Sequence, residues 1–388
     1  MDNIAGQKSG LMWAVHLSVL ALVLLWLFPT VGLFVSSFRT ADQIATTGWW
    51  KALTAAEQNL LIRAADPDDE GVQQQVDGVW TISGNLFEED GRPPATLSVW
   101  GTSSREIDAY TAGETADLGD GEQITVEANG DYVLTAQEQM SGRGQRVFLT
   151  AVIAPEFTLE NYQNMLFDPK NVDGMSRAFF NTLTVTIPAT VIPILIAAFA
   201  AYALAWMEFP GRALLIAAVV ALLVVPLQLA LIPLLKFHNG IGIGKGYMGV
   251  WLAHTGFGLP LAIYLLRNYM VGLPRDIIEN AKVDGASDFQ IFTKIVLPLS
   301  FPALASFAIF QFLWTWNDLL VAKVFLIDAT GRTSVMTNQI VELLGTRGGN
   351  WEILATAAFV SIAVPLLVFF VMQRYLVRGL LAGSVKGG

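Results

Sequence analysis

From Ser9 to Phe38 the chain carries no Asp, Glu, Lys or Arg, and five later stretches are almost as free of charge: 179–206, 214–235, 248–270, 299–321 and 353–375. About 20 apolar residues in a helix cross the ~30 Å hydrocarbon core of a bilayer. Inside lipid every backbone N–H and C=O must be paired within the protein, which leaves helices as the form for such runs. Only 14% of the residues are charged, against about 25% in soluble domains, so burial of all six runs in a water-soluble core is excluded. The expected fold class is an all-α polytopic membrane protein with six transmembrane helices. It carries one inserted small β-rich extracytoplasmic domain. The first run ends without a small-residue cleavage site, so it is expected to be a retained span and not a signal peptide.

The insert is marked by charge. Between Arg39 and Arg177 stand 23 acids and 9 bases, net −14, while the remainder has 10 acids and 14 bases, net +4. An acidic insert on a mildly basic frame speaks against nucleic acid as a partner. Leu53 to Ala65 is expected to be helical, with Thr54 and Glu57 as a capping box. Beyond Pro67 the pattern turns to strands, at 79–86, 96–100, 124–128, 132–135 and 146–152. Asn129-Gly130 between two of these signals a type I′ hairpin. The β-rich core is placed at about 73–154, followed by a short amphipathic segment at 157–167. Trp80 and Trp100 are read as core of a small sandwich; direct sugar binding and docking of an external binding protein are the other readings.

Six spans put both termini on one side. Lys8, Arg374, Arg378 and Lys386, with no acid after Glu352, mark that side as cytoplasmic. The stretch Arg275 to Ser300 then falls inside the cell, between spans four and five, with four acids and three bases in 26 residues. Its caps resolve it into two short helices. Pro274 suits a first helical position, Asp276 suits the first turn, and Ile277, Ile278 and Ala281 form an apolar stripe. Gly285 suits a left-handed cap, and Ser287 with Gln290 forms a second capping box. The result is a mixed-charge knob at the membrane surface, of a shape that docks in a partner's groove.

These residues carry a family resemblance. Glu279-Asn280-Ala281, then Gly285, then Ile295-x-Leu297-Pro298 resembles the EAA motif of ABC importer permeases, E-A-A-x(3)-G-x(9)-I-x-L-P, with Asn280 in place of its first alanine. Phe157-Thr-Leu-Glu-Asn-Tyr162, Phe180-Asn-Thr-Leu183 and the tail Gly379 to Gly387 look like carbohydrate-uptake permeases of the maltose type. The acidic insert looks like that of the α-glucoside branch. The resemblance implies the type I ABC importer permease fold and a plasma-membrane (bacterial inner-membrane) location. It implies that the loop 274–298 docks on an ATPase subunit, with Glu279 for polar contacts, Ala281 for close packing and Gly285 for the turn. It further implies a second homologous permease, an ABC ATPase dimer and an extracytoplasmic sugar-binding protein as partners beside the bilayer. ATP and Mg would be bound by the ATPase, with no cofactor in this chain.

Other chemistry is sparse. There is no Cys, and His16, His238 and His254 are scattered, so no metal site and no catalytic set is expected. Asn239 to Tyr247 fails the Walker pattern, which needs Gly at 239 and Ser or Thr at 246. Polar side chains within the spans include Gln228, His254, Gln311, Asn317 and Asp318. Gln228, Gln311, Trp314, Asn317 and Asp318 are the candidate substrate path, because stacking rings and hydrogen-bonding groups suit a sugar. The competing reading puts Trp314 and Trp316 in an interfacial belt and pairs Asp318 with Lys323 or a neighbouring helix.

The expected organisation is a cytoplasmic 1–10, a first span 11–38, the insert 39–177, a transmembrane domain 178–376 and a cytoplasmic tail 377–388. The expected function is that of a permease subunit of an ATP-driven sugar importer, with an α-glucoside or related oligosaccharide as substrate. The alternative is an ATP-independent secondary transporter or channel, which would need intramembrane charges beyond Asp318.

Overall fold

The computed structural model describes residues 10–76, 78–167, 175–346 and 349–382. Residues 1–9 of the expected N-terminal segment, 168–174 of the insert and 383–388 of the tail lie outside the described residues. Two compact units emerge: Met1–Asn161 with Asn350–Glu352, and Tyr162–Gly349 with Ile353–Gly388.

The first unit opens with helix α1 (Gly10–Ser36) and a short α2 (Ala41–Thr46). Among the described residues nine strands follow: β1 (Ala56–Arg63), β2 (Gln74–Val76), β3 (Val79–Asn85), β4 (Thr96–Gly101), β5 (Tyr110–Thr111), β6 (Thr115–Gly119), β7 (Glu122–Val126), β8 (Asp131–Ala136) and β9 (Arg146–Ile153). One helical turn, α3 (Leu86–Glu89), interrupts them. The strands form two antiparallel sheets, ordered β1-β9-β4-β5 and β2-β3-β8-β7-β6. An all-α description therefore fails for the chain as a whole.

Side chains alternate along each strand, so Leu60, Ile62, Val147 and Leu149 of one sheet meet Ile82, Ile124 and Leu134 of the other in a single apolar core. Trp100 is fully buried there, and its Nε1 donates to the Thr111 carbonyl at 3.1 Å. Trp80 is only half-buried. It lines an open 520 Å³ cavity with Asp68, Glu70 and Gln139.

The helix expected over 53–65 is a strand. Residues 56–63 pair with 153–146 along their whole length, placing Leu60 opposite Leu149 and Ile62 opposite Val147. The partner is some ninety residues away in sequence, and that pairing overrides the local helical preference of Ala, Glu, Gln and Leu. Thr54 caps no helix; its Oγ1 donates to the Lys51 carbonyl at 2.8 Å. The hairpin at 127–131 is also of another type. Gly130 alone is left-handed (φ 88°). Its N–H donates to the Glu127 carbonyl at 2.9 Å, and the Glu127 N–H donates to the Asp131 carbonyl at 2.8 Å. That is a three-residue loop closed by a type I turn and a left-handed glycine.

The second unit is helical. Its elements are α4 (Glu160–Leu166), α5 (Met175–Trp206), α6 (Arg212–Leu222), α7 (Leu227–Gly240), α8 (Tyr247–Val271), α9 (Arg275–Val283), α10 (Asp288–Ile291), α11 (Leu297–Leu299), α12 (Phe301–Trp316), α13 (Leu320–Phe325), α14 (Met336–Thr346) and α15 (Trp351–Ala382). Helices α1, α5, α8 and α15 are each long and apolar enough to cross a membrane. Among the described residues two bent pairs bring the number to six if each pair is one span: α6–α7, bent by 111°, and the run 288–299 with α12, bent by 69°.

The expected continuous span at 214–235 breaks ahead of α7, where Pro226 stands as the N-cap. Proline has no N–H to continue the ladder and disfavours helical geometry in the residue before it. The expected span at 299–321 breaks at Ser300, flanked by Pro298 and Pro302, and again between Trp316 and Leu320. At the end of α5 the Arg212 guanidinium donates to the carbonyls of Leu204, Ala205 and Met207 at 3.0–3.2 Å. A cation placed there satisfies carbonyls that have no intrahelical partner and suits the negative end of the helix dipole.

Candidate functional site

The loop after α8 is held by local caps. Pro274, extended at φ −58°, ψ 123°, precedes α9 as its N-cap. At the other end the Gly285 N–H donates to the Lys282 carbonyl and the Ala286 N–H to the Ala281 carbonyl, both at 3.0 Å. This paired pattern closes the helix only when its turning residue is left-handed, and Gly285 has φ 79°. Ser287 and Gln290 then form a reciprocal capping box that starts α10. From Phe292 to Val296 the helix widens to π geometry before α11, a local form that recurs at functional sites.

One side of this loop is built into the bundle. Ile278, Ile291, Phe292 and Val296 are buried in a cluster with Ala197, Ala201, Leu266 and Phe307, and Ala281, Ile295 and Leu297 pack against it. The Phe292 ring lies 4.7 Å from that of Phe199 and 5.3 Å from that of Tyr202. The Tyr202 hydroxyl donates to Asp288 Oδ1 at 3.1 Å, tying the loop to α5. Among the described residues nothing covers the other side. Glu279, Asn280 and Lys282 are exposed there, and so are Ile277, Val283 and Phe289, with Val283 86% exposed. Pro298 is exposed at the start of the next helix. Charged and large apolar side chains thus alternate on this exposed side of the loop.

A second constellation sits inside the bundle. Gln311 on α12 is 2% exposed, and its Nε2 donates to the carbonyls of Ala189 (3.1 Å) and His254 (3.4 Å). His254 Nε2 faces Asp318 Oδ2 at 3.7 Å, with both side chains buried. Asp318 also accepts from the N–H groups of Val321 (3.3 Å) and Ala322 (3.1 Å), capping α13. Trp314, His254, Gln311, Leu227, Phe257 and Gly258 line a small cavity. A β-carbon at Gly258 would come within 2.5 Å of Gln311 Oε1, so glycine is needed for this approach.

Of the five candidate path residues, Gln311, Trp314 and Asp318 thus gather around His254. Asn317 is exposed and donates to the Leu313 carbonyl at 2.9 Å, and Gln228 is exposed at the start of α7. Trp316 turns away; it is fully buried, and its Nε1 donates to the Ser361 carbonyl at 2.9 Å. His254 is absent from the candidate path set, although an ionisable group in an apolar run is itself the signal for it. Asn181 and Thr182 act as struts: the Asn181 amide donates to the Arg332 and Ser334 carbonyls, and Thr182 Oγ1 accepts from the Met336 N–H at 2.9 Å.

An apolar bundle with broken spans, a buried polar cluster and a half-covered charged loop defines a polytopic membrane component of a transport system. Residues 169–381 match the model of the binding-protein-dependent transport system inner membrane component family, and the chain belongs to that family. It is a transport component and not an enzyme. The chain is 61% identical to the alpha-glucoside transport system permease protein AglG of Rhizobium meliloti, over 98% of this chain and 99% of that one. It is 57% identical to the osmoprotective compounds uptake permease protein GgtD of Synechocystis, over 62% of this chain and 79% of that one. Among solved structures, a bacterial ABC transporter involved in import of the polysaccharide alginate aligns with TM-score 0.47 and 22% identity, over 58% of this chain and 81% of that one.

Proposed function

We propose that this chain is the permease subunit of an ATP-driven importer of an α-glucoside or related oligosaccharide. In this proposal it has six spans, each bent pair counting as one, with both termini cytoplasmic and the β-sandwich as an extracytoplasmic insert after span one. It contributes half of a translocation path, and a second homologous permease contributes the other half. An ABC ATPase dimer, which binds ATP and Mg, docks on the loop 274–298, and an extracytoplasmic binding protein delivers the sugar. This chain itself carries no cofactor. The observation that carries the proposal is the loop: its inner face is packed into the bundle, while Glu279, Val283 and Phe289 stand uncovered on its outer face. The 61% identity to an alpha-glucoside permease over nearly the whole chain supports the substrate class.

The mechanism follows from rigidity. Closure of the ATPase dimer pushes on α9 and α10. Because Ile278, Ile291 and Phe292 are buried in the α5–α8–α12 cluster, the push moves helices and does not merely bend a loop. The broken spans then switch which side of the membrane the path faces. Along that path Gln311, Trp314 and Asp318 present amide, ring and carboxylate to a passing sugar, with Gln228 and Asn317 at its margin. Glu279 makes polar contacts with the ATPase, Asn280 allows close approach, Ala281 packs closely beneath them against the bundle, Gly285 sets the turn, and Ile295, Leu297 and Pro298 anchor the exit helix.

The test is the ATPase activity of the reconstituted complex with its binding protein across a panel of disaccharides. Stimulation by α-glucosides is expected, with a loss of roughly tenfold or more in the Glu279→Ala and Gly285→Pro complexes, equivalent to ~1.4 kcal/mol of coupling or more. Wild-type stimulation in both variants, with the chain inserted in the membrane, refutes the coupling role.

A further inference from the structure

The segment between α1 and the first strand does not run straight out from the membrane. It folds back. Arg39, 2% exposed, donates to the Gln43 carbonyl at 2.7 Å and the Thr47 carbonyl at 3.0 Å. The Asn161 amide donates to the carbonyls of Ser37 (3.0 Å) and Arg39 (2.9 Å). These bonds make a fixed corner. After α2 they return the chain along α1, so that the Trp49 ring lies 4.6 Å from that of Phe28. The Trp49 indole also covers Gly32 so closely that a β-carbon there would fall 2.6 Å from its Nε1. Next to it, Trp50 is 66% exposed, Lys51 is exposed and Leu53 is 83% exposed.

The depth of this cluster can be worked out. Helix α1 has 27 residues, about 40 Å at 1.5 Å per residue, so it overshoots a ~30 Å hydrocarbon core at both ends. Gly32, four residues short of the end of α1, therefore lies close to the edge of that core. At the opposite end Trp13 is 62% exposed. From Trp13 to Gly32 is 19 residues, about 28 Å, which matches the ~30 Å core thickness. Indole rings gather at the two membrane–water boundaries because their bodies are apolar and their N–H groups need a polar partner. A lysine beside them reaches the headgroups while its stem stays on apolar surface.

We infer that Trp49, Trp50, Lys51 and Leu53 form an interfacial anchor that lies in the headgroup boundary of the bilayer. It sits at the end of α1 that leads into the β-sandwich. The exposed apolar length of α1 continues into this patch through Phe28, which meets the rings of Trp49 and Trp50, so the occupant is the bilayer itself. The anchor fixes the start of β1 three residues beyond Leu53, and the sandwich is tethered at the membrane surface instead of swinging on a free linker.

The chain lacks cysteine, so single labels are clean. Nitroxides are placed at Trp50→Cys and Leu53→Cys, with Asp117→Cys on an exposed sandwich strand as the reference. The full-length chain is reconstituted in phosphatidylethanolamine–phosphatidylglycerol nanodiscs. Relaxation by oxygen, which partitions into lipid, is compared with relaxation by a water-soluble nickel chelate. The expected result is an oxygen-to-nickel ratio severalfold higher at 50 and 53 than at 117. Ratios equal to that at 117 overturn the inference in favour of an aqueous linker. Labels at 50 and 53 shielded from both reagents overturn it in favour of a protein partner. The two labels are independent, so misassembly of one variant leaves the other to decide.

Discussion

The two units solve opposite problems with one alphabet. The sandwich hides Trp100, Ile82 and Leu149 completely and turns its carboxylates outward to water. The helical unit leaves Leu214 and Leu229 74% exposed and Val224 80% exposed, while it buries Gln311, His254, Thr186 and Ser361. Inside-out patterning of this kind follows from the solvent. In water the apolar effect concentrates large side chains at the centre. In lipid that drive is absent between helices, and polar groups take the interior because they have nowhere better to go. A substitution that is severe in one unit should therefore be mild at the matching depth of the other.

The sharpest way to break that contrast is Trp100→Ala. It removes the largest core side chain of the sandwich and should cost ~3–5 kcal/mol, seen as a fall in the urea midpoint of the sandwich. The helical signal of the bundle in nanodiscs should stay unchanged; loss of both together would make the units one cooperative block. Gly258→Val tests the bundle's interior. The added carbon atoms press on Gln311, and a cost of ~1–3 kcal/mol is expected from overpacking, read as a lowered melting temperature of the bundle alone. Tyr132→Phe is smaller. The Tyr132 hydroxyl accepts from the Ala65 N–H at 2.8 Å, and its loss should take ~1 kcal/mol from the sandwich, measured by the same urea titration.

The smallest effect concerns Asp131. Hydrogen bonds from Asn85 and Asn129 hold its carboxyl below the usual range. A depressed folded pKa adds stability that is present above the unfolded pKa, about 3.9, and is lost as pH falls through the folded value. Asp131→Asn should therefore lower the sandwich's melting temperature slightly at neutral pH and flatten its decline on acidification below about pH 4. A variant with the same acid profile as the parent would remove this carboxyl from the account.

Much of this contrast is legible in the sequence, and the exceptions share a cause. The apolar runs announce helices because their length alone excludes other forms in lipid. The turn at Gly285 and the box at Ser287–Gln290 are legible because caps are local, each spanning a few residues. Residues 56–63 mislead because their strand is made by β9, far along the chain. Trp316 and Trp314 look alike two residues apart, yet one turns to α15 and the other to the small cavity. Only packing separates them. The meeting of His254 with Asp318 joins α8 to the break between α12 and α13, a pairing that no short sequence window contains.

Gly285 shows how narrow a local signal can be. Among the described residues a β-carbon there would meet nothing within 4 Å, so room is no obstacle. What the position refuses is handedness: at φ 79° an ordinary L-residue crowds its own carbonyl, whereas its mirror image would be at ease. The turn of the loop is thus set by chirality and not by volume. Genetically encoded chemistry has only one achiral residue with which to meet that demand.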